Sequence, residues 1–282
     1  MPVTRGLVAL VLAAGSGERL APLTTLLPKA LCPVGNVPLV DLALGRAARV
    51  LEAAGTPAGG ESMAVNVHHG RDALVDHLAG RVVVSVEEEV ALGTAGGVGN
   101  LRGWIAGRDV LVANADAWLG GAVDDFADGW DRERVRLLCV PAGARRGDFG
   151  TASYAGMCLL PWAQVEQLGA DPSGLYEVLW RREWEAGRLD PVVVDTPFLD
   201  CGTPADYLRA NLFEAARSAS GSLVDPDAVV ARGASVTRSV VGAGAEVRGE
   251  VADAVLWPGS VVHHGELLRG GIRAGRLTVL VR

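Results

Sequence analysis

The chain has 282 residues, 49% hydrophobic and 21% charged, the balance of a folded globular protein and not of a disordered one. Lys and Arg number 26 against 33 Asp and Glu, a formal net charge of −7, which argues against a nucleic-acid binder. Cys32, Cys139, Cys158 and Cys201 form no C-x-x-C pair and read as reduced thiols of a cytoplasmic protein, with no zinc site. The apolar run at residues 6–15 is too short to span a bilayer and lacks the basic leader and cleavage site of a signal peptide.

From residue 6 to about 216, short apolar β-rich runs alternate with helical patterns. Strands are expected at 6–12, 62–67, 81–86 and 109–113, with helices at 38–54, 71–78 and 94–105 between them. Later strands fall at 135–140, 154–160 and 192–194, and later helices at 163–168, 175–185 and 204–217. This alternation predicts an α/β domain over residues 1–217, with a mixed, mostly parallel sheet covered by helices on both faces. Residues 218–222, all small or polar, read as a linker. Beyond it aliphatics recur every six residues: Val224, Val230 and Val236, then Val241 and Val247, then Leu256, Val262 and Leu268. One inward aliphatic per six residues predicts a short parallel β-helix, of the left-handed hexapeptide kind, over 222–282.

The first strand runs directly into Leu12-Ala13-Ala14-Gly15-Ser16-Gly17-Glu18-Arg19. A glycine loop after a strand is where backbone amides cradle phosphate. Leu20 stands where the dinucleotide fingerprint needs its third glycine, and no Gly-Lys-Ser/Thr follows, so neither common phosphate motif explains the loop. Arg19 and Lys29 flank it, and Pro22, Pro28 and Pro33 favour an ordered, extended segment. Taken singly, each cation reads as surface decoration. Taken together, Arg19 can clamp phosphate oxygens in two places and Lys29 can act as a point charge.

These residues carry a resemblance. Gly15-x-Gly17-x-Arg19-Leu20-x-Pro22-Leu23-Thr24, followed by Pro28-Lys29-x-Leu31-x-Pro33-Val34-Gly35-Asn36-x-Pro38-Leu39, is similar to the opening of the sugar-1-phosphate nucleotidylyltransferases. Leu92-Gly93-Thr94-Ala95-Gly96 resembles that family's base-recognition loop. Val112-Ala113-Asn114-Ala115-Asp116 resembles its metal-binding strand end, and Phe198-Leu199-Asp200-Cys201-Gly202-Thr203-Pro204 its second acidic motif.

The resemblance implies a reaction in which an NTP and a sugar 1-phosphate give an NDP-sugar and pyrophosphate. The nucleophile is already an anion, so positioning and electrostatics are expected to carry the catalysis. Arg19 would hold the triphosphate, and Lys29 would bridge the α-phosphate and the attacking phosphate. Asp116 and Asp200 would hold Mg²⁺, a hard cation that favours carboxylate, phosphate and water. Thr203 is the better cap for the helix that begins at Pro204, which leaves Asp200 available. Leu12 to Glu18, Asn66, Gly93 and Thr94 are expected at the nucleotide. Asn114, Gly150 and Gly156 are expected at the sugar. Asn66 and His68 read equally well as polar caps at a strand end. Glu87-Glu88-Glu89 reads in part as a solvated run, with one member turned to the nucleotide.

Ala115 stands where the family has glycine, and the sugar-facing segment at 147–156 is short. These departures leave open a non-catalytic sugar-nucleotide-binding protein on the same fold. The Leu92 and Pro33 motifs favour GTP and mannose 1-phosphate; Val65-Asn66-x-His68-His69 and Gly147-Asp148-Phe149 favour a uridylyltransferase acting on an amino-sugar phosphate. His263-His264 is assigned to structure rather than to acyl transfer. The tail is expected to join copies of the chain into a homo-oligomer, so that deleting 222–282 changes assembly more than chemistry.

Overall fold

The computed structural model describes residues 6–143 and 147–281. Contacts divide the chain into two compact units. One runs from the start to Ser16 and includes Val40–Phe198; the other joins Gly17–Leu39 to everything from Leu199 onward.

The first unit is built on a seven-stranded sheet. Its strands are β1 (Leu7–Leu12), β2 (Met63–Val67), β3 (Val83–Val86), β4 (Asp109–Asn114), β5 (Val135–Pro141), β6 (Ala152–Leu160) and β7 (Leu189–Val193). They lie in the order β7-β5-β6-β4-β1-β2-β3. Every pairing is parallel except those of β6, which runs antiparallel to both β4 and β5. The mixed, mostly parallel sheet is therefore as expected. β1 is a continuous aliphatic run with Leu7 to Val11 buried, as a strand covered on both faces must be. β7 tolerates Pro191 because it pairs only with β5, at the edge of the sheet.

Helices α1 (Leu39–Ala53) and α2 (Arg71–Leu78) match the expected positions. The expected helix at 94–105 is interrupted. It divides into α3 (Gly93–Asn100) and α4 (Arg102–Ile105), with Leu101 between them at φ −89° and ψ 5°. Glycine at 93, 96, 97 and 99 explains the weakness, since each costs about 1 kcal/mol of helix propensity relative to alanine. The expected helix at 163–168 shrinks to α5 (Trp162–Val165), and that at 175–185 opens with a π turn over Tyr176–Trp180 before α6 (Arg181–Glu185).

The second unit contains α7 (Pro204–Arg217), capped by the Thr203 hydroxyl, which accepts from the Asp206 N–H at 3.2 Å. Residues 218–222 lead from α7 into the β-helix, yet the contacts group α7 and Gly17–Leu39 with the coils. Eleven short strands form three sheets, one per face of the β-helix, parallel throughout except where Leu277–Leu280 folds back against Gly271–Ala274. The inward aliphatics Val241, Val247, Val251, Leu256, Val262 and Leu268 stack into one core.

The six-residue phase slips because some corners are short. Leu223 pairs with Val240 and Val255 with Ile272, 17 residues on, but Val240 pairs with Val255 after 15. One short corner is stacked three high through Arg238, Asp253 and Gly270, all at positive φ. Arg238 Nε and Nη2 donate there to the two Asp253 carboxylate oxygens, each at 2.6 Å. A second short corner, Arg248-Gly249, is two residues shorter than the corners above and below it. Gly249 lies so close to the next coil that a Cβ would come within 2.3 Å of the Glu266 carbonyl. The missing length leaves a notch of about 560 Å³ lined by Arg232, Arg248 and His264.

Candidate active site

In the first unit, β1, β2 and β4 end together. Leu12 lies opposite Asn66 on one side and Asn114 on the other. Ligands collect at the carboxyl ends of strands in open α/β sheets, and a cavity of about 210 Å³ opens there. Leu12, Ala14 and Gly15 line it from the glycine loop, Asn66 and Asn114 from the strand ends, Gly93 and Thr94 from α3, and Asp116 from the turn after β4; Ala91 completes the wall. Of the residues expected at the site, Ala13, Ser16, Gly150 and Gly156 lie outside this lining, and Gly17, Glu18, Arg19, Lys29 and Asp200 belong to the second unit.

The glycines separate by cause. A Cβ on Gly15 would meet no heavy atom within 4 Å, and Gly15 is absent from the positive-φ positions. Neither packing nor backbone requires glycine there, and the open space lies at the cavity. Gly93 has φ +72°, and a Cβ would come within 2.6 Å of the Ser173 carbonyl. Gly96, Gly97 and Gly99 are equally confined, by Asp171, Asn66 and Gly169. The Thr94 hydroxyl accepts from the Leu175 N–H at 2.8 Å. The glycine-rich start of α3 thus lets residues 169–175 close over it. Gly156, at φ +82°, falls where the pairing of β5 and β6 shifts register, and a Cβ would strike Ala117 at 2.3 Å. Gly150 closes a tight turn, its carbonyl accepting from Gly147 N–H at 3.0 Å.

Asn66 and Glu87 are both buried. Asn66 Oδ1 accepts from the Ala13 N–H at 2.9 Å, and Asn66 Nδ2 donates to Glu87 Oε1 at 2.7 Å. Glu87 Oε2 accepts from the Leu92 N–H at 2.7 Å. Only Glu87 of the acidic run is turned inward; Glu88 and Glu89 are exposed. His68 Nδ1–H donates to the Glu87 carbonyl at 2.6 Å and His69 Nδ1–H to the Ala14 carbonyl at 3.2 Å. Both rings must carry the proton on Nδ1, since a carbonyl only accepts. Sequence reading missed the structural use of Glu87, because three adjacent glutamates carry no signal of which one is buried.

In the second unit Asp200 stands between two cations. Arg19 Nη2 lies 3.2 Å from Oδ2 and Lys29 Nζ 3.6 Å from Oδ1. The Lys29 side chain is only 11% exposed, against 69% for Arg19. Gly17, at φ +68°, closes the loop against the Lys29 and Thr24 side chains, each 2.9 Å from where a Cβ would be. Gly202 is fitted beside the ion pair, since a Cβ there would come within 2.9 Å of Arg19 Nη2.

The Pro33-Val34-Gly35-Asn36 motif has a structural purpose. Pro33–Val34 and Val37–Pro38 form a hairpin whose two turn residues, Gly35 and Asn36, both have positive φ, as tight hairpin turns demand. Gly35 N–H donates to Asn211 Oδ1 at 3.0 Å, and Asn36 Nδ2 donates to the Val241 carbonyl at 3.0 Å. The Tyr207 hydroxyl donates to the Pro33 carbonyl and accepts from Trp257 Nε1 at 2.9 Å.

The cysteines are all buried free thiols. Burial pushes Cys32 and Cys139 up to about 12 and Cys158 higher still. They are unfit as nucleophiles at neutral pH. Among the described residues no group of three or more His, Cys, Asp and Glu is gathered as a metal site, and no helix is long and apolar enough to cross a membrane.

An open glycine at the strand ends of a mostly parallel α/β sheet, with a carboxylate in the turn after the neighbouring strand, stands where such sheets collect ligands. The comparisons supply the class. Residues 8–146 match the nucleotidyl transferase family. The chain is 40% identical, over 240 residues, to an N-acetylmuramate alpha-1-phosphate uridylyltransferase of Caulobacter vibrioides; the match takes in 72% of this chain and 95% of that one. In structure it is similar to a Bacillus anthracis protein provisionally assigned as a glucose-1-phosphate thymidylyltransferase and solved with a sucrose. The TM-score is 0.57 at 16% identity, over 74% of this chain and 95% of that one, so this likeness speaks for the fold alone. The chain belongs to the sugar-1-phosphate nucleotidylyltransferases.

Proposed function

We propose that this enzyme transfers the uridylyl group of UTP to the 1-phosphate of an N-acetylmuramate-type amino sugar. The observation that carries this reading is the 40% identity over 240 residues to a uridylyltransferase of that substrate, spanning 95% of its length. It favours the uridylyl alternative over GTP and mannose 1-phosphate. In the reaction a sugar-phosphate oxygen attacks the α-phosphorus of the nucleotide, the bond from that phosphorus to the β-phosphate oxygen breaks, and pyrophosphate leaves.

The glycine loop would hold the nucleotide at Gly15, with Gly93 and Thr94 on the base side. Lys29 and Arg19 would neutralise the phosphates, giving up Asp200 as they do so. Asn114 and the segment around Gly150 and Gly156 are assigned to the sugar. Asp116 and Asp200 are proposed as ligands of Mg²⁺. Hard oxygen donors suit that ion, and it needs only one or two carboxylates when phosphates and water supply the rest. When bound, Mg²⁺ would neutralise charge on the phosphates. A cytoplasmic enzyme working as a homo-oligomer completes the proposal. The first coil of the β-helix leaves Val224 and Val230 42% exposed, where the next coil buries Val241 and Val247 completely, and light scattering on the full chain tests whether a second copy covers them.

The decisive experiment is pyrophosphate release across nucleoside triphosphates and sugar 1-phosphates, with and without Mg²⁺. UTP with N-acetylmuramic acid 1-phosphate is expected to give the highest kcat/KM, and only with Mg²⁺. A preference for GTP with mannose 1-phosphate would overturn the substrate assignment.

A further inference from the structure

We propose that Glu87 is a positioning residue for the nucleotide. Through Asn66 it ties the glycine loop to the base loop, so that the two are set as one frame before substrate arrives. The inference rests on the nucleotide reading of the cavity and is independent of which base is used.

The hydrogen bonds converge on the Glu87 carboxylate from both sides. Ala13 N–H donates to Asn66 Oδ1, Asn66 Nδ2 donates to Glu87 Oε1, and Leu92 N–H donates to Glu87 Oε2, at 2.9, 2.7 and 2.7 Å. Ala13 leads into Ala14 and Gly15, and Leu92 into Gly93 and Thr94, all four of them cavity residues. The three links therefore connect one wall of the cavity to the other through Asn66, which lines it as well.

Each atom's role is forced. Asn66 must turn its oxygen to Ala13, so its NH₂ faces Glu87. Glu87 accepts at both oxygens, which suits a carboxylate and leaves no acceptor for a carboxyl proton. The backbone of Glu87 is fixed as well, its N–H donating to the Val67 carbonyl at 2.9 Å and its carbonyl accepting from His68. Gly97 seals the arrangement from α3; a Cβ there would come within 2.7 Å of Asn66 Nδ2 and 3.3 Å of Glu87 Oε1. Asn66 and Glu87 are 2% and 3% exposed, and a buried link with one mismatched partner leaves polar groups unpaired.

The forced polarity supplies the test. In Glu87→Gln, one amide oxygen can serve Leu92, but the new NH₂ then faces the NH₂ of Asn66. In Asn66→Asp, two carboxylates face each other. In the double variant the order is restored. The new carboxylate at position 66 accepts from Ala13 N–H and from the new NH₂ at position 87, and the amide oxygen at position 87 accepts from Leu92 N–H. Steady-state kinetics with the best nucleotide and sugar phosphate, beside thermal unfolding, reads all three. Each single variant is expected to raise the nucleotide KM at least tenfold with the sugar-phosphate KM within twofold. The double variant is expected to return within threefold of the parent.

Folded single variants with unchanged KM values would overturn the assignment of Glu87 alone. A rise confined to the sugar-phosphate KM would overturn the nucleotide reading of the cavity together with it. If the single variants do not fold, the double variant still decides: a folded, near-parental enzyme supports the assignment, and an unfolded or crippled one overturns it.

Discussion

Gly15 and Gly17 are glycines for different reasons, and the difference predicts different losses. Gly15 faces open space at the cavity, whereas Gly17 has positive φ and is packed against Lys29. Gly15→Ala is expected to leave the Tm within 1–2 °C, a change of roughly a few tenths of a kcal/mol, and to raise the nucleotide KM tenfold or more. Gly17→Ala should lower both Tm and kcat; equal Tm values in the two variants would contradict the division. Lys29→Met keeps the buried stem and removes the charge. It should cost roughly 10²–10³ in kcat, the scale of one positioned electrostatic group, with pyrophosphate release as the readout. The thiols give a pH prediction. Burial raises Cys32 and Cys139 from 9.0 to about 12. A raised folded-state value means that their contribution to stability is complete below pH 9 and is lost as the pH climbs toward 12. Unfolding midpoints measured from pH 7 to 10.5 should be flat at first and fall beyond 9. The Asp116 and Asp200 motifs were legible from sequence as acidic positions. That Asp200 is held by Arg19 and Lys29 was not, because the partners lie 181 and 171 residues away along the chain.

At the scale of elements, the parallel strands were readable from uninterrupted aliphatic runs, and β1 matches its expected bounds to within a residue. Helix α3 is shorter than the expected 94–105. Its motif Leu92–Gly96 was read for the base alone, whereas Gly96, Gly97 and Gly99 also make space for segment 169–173 and for Asn66, a demand made by chain far away in sequence. Gly99→Ala would drive a Cβ to 2.0 Å from the Gly169 carbonyl, and overpacking of this kind costs about 1–3 kcal/mol. Chemical denaturation should show that loss as a shifted midpoint, with the nucleotide KM changed less than in Gly15→Ala. Gly156 was expected to admit the sugar. It falls at the register shift between β5 and β6 and packs against Ala117 in the short strand after Asp116, neither of which a local sequence pattern announces.

At the scale of the whole molecule, the period of six disclosed the β-helix, but not what it supports. The sequence suggested a separable tail. In the second unit the coils hold the Pro33–Asn36 hairpin, through Asn36 to Val241 and through Trp257 and Tyr207 to Pro33, and the hairpin follows Lys29 by only a few residues. Deleting 222–282 is therefore expected to reduce kcat at least tenfold and to lower Tm, as well as to alter assembly; a truncated chain with parental kinetics would refute this. The short corner at Arg248-Gly249 also bears on how the β-helix can change over evolutionary time. Adding two residues there would lengthen every coil that passes through it from 15 to 17, equal to its neighbours, and the added backbone would occupy the notch. The rest of the ladder would keep its register. Insertions in pairs at this corner are thus a route by which the β-helix gains surface without renegotiating its core, while a single added residue within any strand would turn an inward valine to solvent.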